Sequence, residues 1–429
     1  MTKQIVIAGG GIGGLSLALS LQQIGITPVV FESVSKLQPL GVGINLQPNA
    51  VRELMEMGIS RSDLDSFGVS AKEWALVGIN GKEIYAEQRG EYAGYKWPQY
   101  AAHRGLFHMF LYQRFKQLVG EQYLKLGCRV TGYQKQANGR VKLTYHQNGQ
   151  THSLEADILI GADGIHSKIR AEMHPHQPAI HWGGSIMWRG TSLAKPLRTT
   201  SSFIGLGNHR QRMVIYPISG TDENTGLALI NWIAEVSFDE PSTYEKVGWY
   251  RQVTTDNFLP NFADWKYDWL DVPALISKAD AVFENPMIDR DPISTWTDGP
   301  VALLGDAAHP MFPTGSNGAS QAIIDGRVLC AKFLEFGVCD AALDAYNTQL
   351  CDPISKVVLT NRNDGPFGLL KIIDGRCGGV FDTIDEVISE TEKSDFMRKY
   401  KEAAGFAKDR LNAARPTVPV HKLTSSAQV

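Results

Sequence analysis

The chain has 429 residues, 43% of them hydrophobic and 20% charged, with a formal net charge of -3. That length supports two or three cores, and that charge balance argues against a disordered chain and against a nucleic-acid partner. Five scattered cysteines (Cys128, Cys330, Cys339, Cys351, Cys377) without CxxC spacing speak against a disulfide framework and a zinc site, no apolar run approaches the roughly 20 residues that span a bilayer, and an opening without a signal leader is expected of a cytoplasmic protein.

In chain order, Ile5–Ala8 is a short apolar run that stops at a glycine cluster. Leu15, Leu17, Ala18, Leu19 and Leu21 follow at helical spacing, and residues 28–32 form a second apolar run ending in Glu32. Together they predict a βαβ unit in a parallel sheet. Residues 50–57 predict a helix, and residues 104–119 a longer one with Leu106, Phe110, Leu111 and Phe115 facing inward. From Cys128 the pattern changes to short alternating runs broken by Asn138-Gly139 and Asn148-Gly149, which tolerate the positive φ of hairpin turns and predict a three-stranded meander. Residues 157–160 return to a buried strand. Residues 180–287, rich in β-branched and aromatic side chains (Ile186, Trp188, Phe203, Val214, Tyr216, Ile230, Trp232), predict a largely antiparallel sheet whose face covers a ligand. Residues 301–304 predict a buried strand and 319–336 a helix. The chain then stays helical to about residue 408, and the polar tail 418–429 is expected to fray.

The glycine cluster Gly9-Gly10-Gly11-Ile12-Gly13-Gly14 holds GxGxxG at Gly9, Gly11 and Gly14, between a predicted strand and helix. Dinucleotide binding uses such glycines for a tight turn, for approach of the backbone to pyrophosphate and for close helix packing, with the helix N-terminus drawing the anion. Glu32, at the end of the next strand, has the spacing of a carboxylate that accepts from ribose hydroxyls. A glycine-rich turn in an ordinary parallel sheet is the plainer alternative, and the motif alone does not separate FAD from NAD. Two later segments narrow the choice. In Gly161-Ala162-Asp163-Gly164-Ile165-His166-Ser167-Lys168-Ile169-Arg170 and Leu304-Gly305-Asp306-Ala307-Ala308-His309-Pro310, a predicted buried strand ends beside an aspartate and small residues. Such a carboxylate suits the hydroxyls of a sugar-like chain. The small-residue loop Pro313-Thr314-Gly315-Ser316-Asn317-Gly318-Ala319 then enters a helix, and its N–H groups suit a developing negative charge.

In this order and at these separations, the three segments resemble the signatures of the para-hydroxybenzoate hydroxylase-like flavin monooxygenases, the class A flavin-dependent aromatic hydroxylases. Gly41-Val42-Gly43-Ile44-Asn45, Pro98-Gln99-Tyr100 before His103-Arg104-Gly105, and Gly315 to Ala322 are similar to the phenazine-hydroxylating members. The resemblance implies an α/β fold. A Rossmann-like FAD-binding domain of glutathione reductase type would comprise residues 1–75, 101–180 and 290–360, an antiparallel β-sheet substrate domain residues 76–100 and 181–289, and a C-terminal helical segment residues 361–429. It implies non-covalent FAD, NADH or NADPH as co-substrate, and dioxygen, which hydroxylate an aromatic or heteroaromatic small molecule, phenazine- or salicylate-like, through a flavin hydroperoxide.

Carried over position by position, the resemblance assigns cofactor contacts to Gly9, Gly11, Ile12, Gly13, Gly14, Glu32, Gly43, Ile44, Arg104, Asp163, Asp306, Gly315, Asn317, Gly318 and Ala319. Gly43 and Ile44 would pass beside the isoalloxazine, glycine being useful where a side chain would strike a flat ligand. Pro313 and Gly315 would lie near the ring. Asp163 is also read as a plain turn residue and Arg104 as a surface arginine. On the substrate side, period-2 geometry puts Arg212, Val214 and Tyr216 on one face, and the resemblance adds Trp188 and Pro313. Arg212 reads either as a bidentate partner for a substrate carboxylate or as an exposed strand arginine. A monomer or homodimer is expected, with no nucleic acid, membrane or metal involved. Two other readings stay open: an antibiotic-modifying or epoxidising monooxygenase on the same fold, and a non-catalytic flavin-binding sensor. The Trp-x-Trp-x-Ile-Pro string of flavin halogenases is not in the sequence.

Overall fold

The computed structural model describes residues 3–238, 251–403 and 408–419. Ile5–Ala8 lies parallel to Ile158–Gly161 on one side, Ile5 opposite Ile158, and to Val29–Phe31 on the other. The full six-stranded sheet runs Thr297–Asp298, Val301–Leu303, Ile158–Gly161, Ile5–Ala8, Val29–Phe31, Leu124–Lys125, with only the first pair antiparallel. Its central strands are apolar at every position because both faces are covered, as parallel sheets require. The helix Ile12–Gln23 packs against Gly318–Phe336, and they approach closely where a Cβ on Gly326 would stand 3.2 Å from the Leu17 Cα.

The meander forms as expected from Cys128–Lys135, Val141–Gln147 and Gln150–Ala156. Asn148 and Gly149 take φ of 50° and 76°, both positive as a two-residue hairpin turn of this hand demands. The second large sheet has eight strands in the order Arg251–Val253, Val282–Asp289, His181–Ala194, Ala228–Ser237, Gln211–Pro217, Ser202–Gly207, Glu73–Gly78, Glu83–Gln88, antiparallel except between Ser202–Gly207 and Glu73–Gly78. One face buries Trp188 and Trp232 against Phe258, Phe262 and the helix Val272–Ser277. The other faces the parallel sheet across a cleft.

Two expectations need correction. In the helix Arg104–Leu118 the inward stripe is Phe107, Leu111 and Phe115, while Leu106 is exposed and Phe110 only partly buried. The stripe follows the i, i+4, i+8 row, and Leu106 lies about 100° away from Phe107 around the axis. The tail does not fray at residue 418: Val418 is buried, Thr417 donates its hydroxyl to Glu53 at 2.6 Å, and Arg52 donates to the Arg415 carbonyl. The rest of that tail, residues 420–429, lies outside the described residues. Beyond Gly337 the helices are Asp340–Asn361, Gly368–Cys377, Glu390–Ala403 and Lys408–Ala413. Among the described residues no helix is long and apolar enough to cross a membrane, and no group of His, Cys, Asp or Glu has the arrangement of a metal site.

Candidate active site

The glycine loop divides its work as the chemistry of close approach demands. Gly9 has φ of 116°, and a Cβ there would lie 2.2 Å from the Ala162 carbonyl oxygen. A Cβ on Gly14 would lie 1.9 Å from the Gly9 oxygen, whereas one on Gly11 meets nothing within 4 Å. The first and third glycines are therefore imposed by the protein, and the second opens onto the cleft. Gly13 is pressed by Leu304, whose Cδ2 would be 2.8 Å from its Cβ. Glu32 accepts from the Gly10 N–H at 2.8 Å and the Val34 N–H at 2.9 Å, so its carboxylate stands at the strand end beside the loop. From the helix behind, His108 places Nε2 2.6 Å from the Gly10 carbonyl, and burial pushes its pKa below the ordinary imidazole range.

A cleft of about 430 Å³ runs from this loop to the large sheet. Gly11, Ile12 and Gly13 line one end, joined by Arg104, Ala162, Gly164 and Asp306. The Asp163 side chain instead turns to cap the helix Lys168–Met173: its Oδ2 accepts from the Lys168 N–H at 2.7 Å, and its buried Oδ1 has no partner. Burial holds its pKa above the usual carboxylate range, against the Ser167 and backbone hydrogen bonds. The second and third segments are physically joined. Arg170, fully buried, donates to the carbonyls of Ala307 (3.2 Å) and Ala308 (2.7 Å), so one motif's arginine fixes the other's turn. Asp306 is exposed and lines the cleft. Desolvation by the surrounding protein raises its carboxyl pKa, and His309 and Arg104 oppose that rise.

The loop Pro313–Gly315 and the residues Asn317, Gly318 and Ala319 line the same cleft, where the helix Gly318–Phe336 begins. Ser316 takes φ of 49° to make the turn, and the buried Asn317 Oδ1 has no partner in the protein. A Cβ on Gly315 would stand 2.6 Å from the Asn361 Oδ1, so this glycine is imposed by the helix behind it.

The opposite wall is the inner face of the eight-stranded sheet, where Arg212, Val214 and Tyr216 line the cleft together, as period-2 geometry requires. Tyr216 is 4% exposed and stacks on Phe203 with centroids 4.1 Å apart. Burial pushes its pKa up to about 12, against the pull of Arg189, so it is a neutral hydroxyl at physiological pH. Gly43 and Ile44 line the cleft, but the space forbidden to a Gly43 side chain belongs to Tyr216 and Asn231, at 2.7 Å each, rather than to a flat ligand. Gly43 donates its N–H to Asn231 Oδ1 (2.6 Å) and accepts from Arg189 Nη2 (2.8 Å), which ties this strand to the sheet.

Two more placements differ from the sequence reading. Arg212 is not exposed. It is buried, paired with Glu235 at 2.7 Å and Asp364 at 3.4 Å, and lies over the Phe367 ring, so its charge is already matched within the protein. Trp188 faces away from the cleft: it stacks on Phe258 at 4.8 Å and donates Nε1 to Glu284 at 3.0 Å. Strand alternation sends its neighbours Met187 and Arg189 to the cleft instead. Arg189, whose buried Nε has no partner, and the apolar group Met187, Met287 and Phe312 are cleft residues that the sequence reading did not single out. Met187 and Arg189 flank Trp188 in the sequence, but the choice of face needed the register against Ala228–Ser237. A larger cavity of about 850 Å³, walled by Arg52, Glu87, Lys332 and Arg410 among others, lies beside the cleft and shares Gln47, Arg89 and Gln99 with it. The motif residues gather in the smaller space, and that decides where the chemistry belongs.

The FAD binding domain family matches residues 2–246 and 279–361. The chain belongs to this family. It is 39% identical to the phenazine 1,6-dicarboxylic acid hydroxylase of Lysobacter antibioticus over 84% of this chain and 89% of that one. It is 30% identical to 3-hydroxybenzoate 6-hydroxylase 1 of Aquipseudomonas alcaligenes over 78% and 80% of the two chains. Its fold matches that of Klebsiella pneumoniae HpxO complexed with FAD and uric acid, with a TM-score of 0.69 at 24% identity, covering 96% of this chain and 95% of that one. The protein is therefore an FAD-dependent aromatic monooxygenase, and its α/β architecture is that of the class A hydroxylases.

The residues present fit the cofactor. Open space at Gly11, a helix N-terminus at Gly318 and the partnerless Asn317 Oδ1 are what a long, polar, anionic ligand would use.

Proposed function

We propose that FAD would be held in and beside the cleft, its adenosine ribose by Glu32, its pyrophosphate by Gly11 and Ile12, its ribityl chain by Asp306, and its ring by the 313–319 loop with Gly43 and Ile44. The substrate is a planar heteroaromatic or aromatic small molecule of phenazine or salicylate type, held under Tyr216 and Val214. One observation carries this reading: residues of three motifs more than 100 positions apart line a single cleft whose far wall is an aromatic and apolar sheet face. The 39% identity to a phenazine hydroxylase supports the heteroaromatic class.

Bound FAD, reduced by NADH or NADPH, supplies the electrons that activate dioxygen for transfer of one oxygen atom to the ring. This chain's residues do the rest. The N–H groups at the start of Gly318–Phe336 face the end of the cleft where negative charge would develop, and they need no reorganisation to stabilise it. Met187, Met287 and Phe312 exclude water from the reacting face. The neutral Tyr216 hydroxyl orients the substrate, supported by Arg189. Arg212 shapes the wall as one member of its ion pair with Glu235. The free cysteines, three of them buried, support a reducing, cytoplasmic setting.

The test is a panel of phenazine carboxylates and hydroxybenzoates offered to the FAD-loaded protein. A member of the panel is expected to accelerate NAD(P)H oxidation and to yield a product heavier by one oxygen. Oxidation giving only hydrogen peroxide across the whole panel would remove the substrate assignment.

A further inference from the structure

The turn that carries Asp306 is held from behind by a buried acid with no part in the reading above. Asp325, on the helix Gly318–Phe336, is 0% exposed. Its Oδ2 accepts from the Gly305 N–H at 3.0 Å and lies 2.6 Å from His309 Nε2, while its Oδ1 accepts from the Gln321 amide at 2.8 Å. Gly305 and His309 bracket Asp306. The chain passes Gly305 at φ of 61°, and the His309 N–H closes back on the Gly305 carbonyl at 2.9 Å. Both ends of the turn are thus fastened to one carboxylate.

The surroundings favour the protonated imidazole, although its buried Nδ1 has no partner. The Trp296 ring, 5.0 Å from the imidazole, shields it from water. Burial alone would discharge His309, but contact with Asp325 and the field of Asp306 outweigh it and hold the imidazole pKa above its ordinary range. The other ionisable groups packed around the turn are Arg170, spent on the Ala307 and Ala308 carbonyls; Arg104, acting on Asp306; and Tyr346, which donates to the Leu303 carbonyl and whose own ionisation burial suppresses. A charge on His309, and after it that on Arg104, opposes the rise in the Asp306 carboxyl pKa that desolvation causes. The ionised form is acceptor-only, with both oxygens free to receive ribityl hydroxyls.

We propose that Asp325 and His309 are positioning residues for the cofactor: they fasten the Gly305–Asp306 turn and set a cation behind the Asp306 carboxylate, so that retention of FAD depends on both. The proposal rests on Asp306 being a ligand of FAD. A raised imidazole pKa fixes the sign of the pH dependence: the charge is present at low pH and lost as pH rises through the raised value, so FAD binding weakens on the alkaline side.

The experiment compares wild type, Asp306→Ala, Asp325→Asn and His309→Gln, each loaded with FAD, by the fluorescence of flavin released on dilution between pH 6 and 9. Thermal melts of the FAD-free forms check folding. Asp325→Asn and His309→Gln are each expected to bind FAD roughly tenfold or more weakly at neutral pH, the usual consequence of losing a charge-assisted hydrogen bond. In His309→Gln, which keeps an N–H donor for Asp325 without the charge, the alkaline loss of affinity seen in wild type should vanish. Should Asp325→Asn fail to fold, His309→Gln decides alone. Wild-type affinity in the folded variants, while Asp306→Ala has lost FAD, overturns the proposal. Weakened binding with the wild-type pH profile intact overturns it too, since that marks a merely structural role. Undiminished retention by Asp306→Ala is a different failure, because it removes Asp306 as a ligand and the proposal falls with it.

Discussion

The two walls of the cleft are built on different principles. The cradle on the parallel sheet is made of backbone: Gly9, Gly11 and Gly14 act through the side chains they lack, and Asp306 sits on a turn tied to Asp325 and Arg170. The roof on the antiparallel sheet is made of side chains: Tyr216 on Phe203, Arg212 on Glu235, and Arg189 on Gly43. A cradle of backbone tolerates almost no substitution but serves any substrate, whereas the roof's side chains outside the buried Arg212–Glu235 pair can be exchanged at less cost to the fold. Damage to the first should abolish the holoprotein, and damage to the second should change only what it acts on.

The largest effect is expected at Gly9. A methyl group there meets the Ala162 carbonyl at 2.2 Å in a backbone conformation that L-residues avoid, so Gly9→Ala should cost about 3 kcal/mol or more, read as a lowered melting temperature and loss of bound flavin. A variant that melts with the wild type would break the contrast at its firmest point. Next comes Asp306→Ala, for which roughly 2 kcal/mol, or about thirtyfold in FAD affinity, is expected with little change in the melting point of the FAD-free form. On the roof, Tyr216→Phe removes one hydroxyl from a stacked ring. It should weaken substrate binding or coupling by about 1 kcal/mol, roughly fivefold, with FAD retention unchanged. Because its pKa stands at about 12, the same variant should leave the shape of the pH profile between 6 and 9 as it was. The smallest effect on catalysis belongs to Trp188→Phe. It loses the hydrogen bond to Glu284 and about 1 kcal/mol of stability, and its KM should stay within about twofold of wild type because the ring faces away from the cleft. A large rise in KM there would blur the distinction between the two faces of the sheet.

The same contrast explains how far the site was legible. Gly9, Gly14 and the strand and helix around them are local facts: spacing within about 20 residues specifies a turn, and the turn looks the same wherever it occurs. The order of the three motifs then pointed to one extended ligand, and Gly11, Asp306 and Gly318 do line one cleft. Trp188 was assigned to the wrong face because alternation gives two answers, and only pairing with Ala228–Ser237 and Val282–Asp289 selects one. Arg212 could not be read at all from its strand, since its partners Glu235 and Asp364 come from 23 and 152 residues away.

What the sequence determined by itself was the βαβ core, the glycine turn and the meander, because each is written in short-range periodicity or in residues whose backbone conformation admits few alternatives; the cofactor class came from the resemblance that three separated motifs carry together. What only the tertiary structure decided was which side chains face the cleft, why Gly43 must be glycine, and that Asp325 reaches across to hold the Asp306 turn. Those depend on contacts between segments distant in the chain, and burial turns each into a commitment: a charge or a donor removed from water must find its partner, and where that partner lies is fixed only when the sheets close on one another.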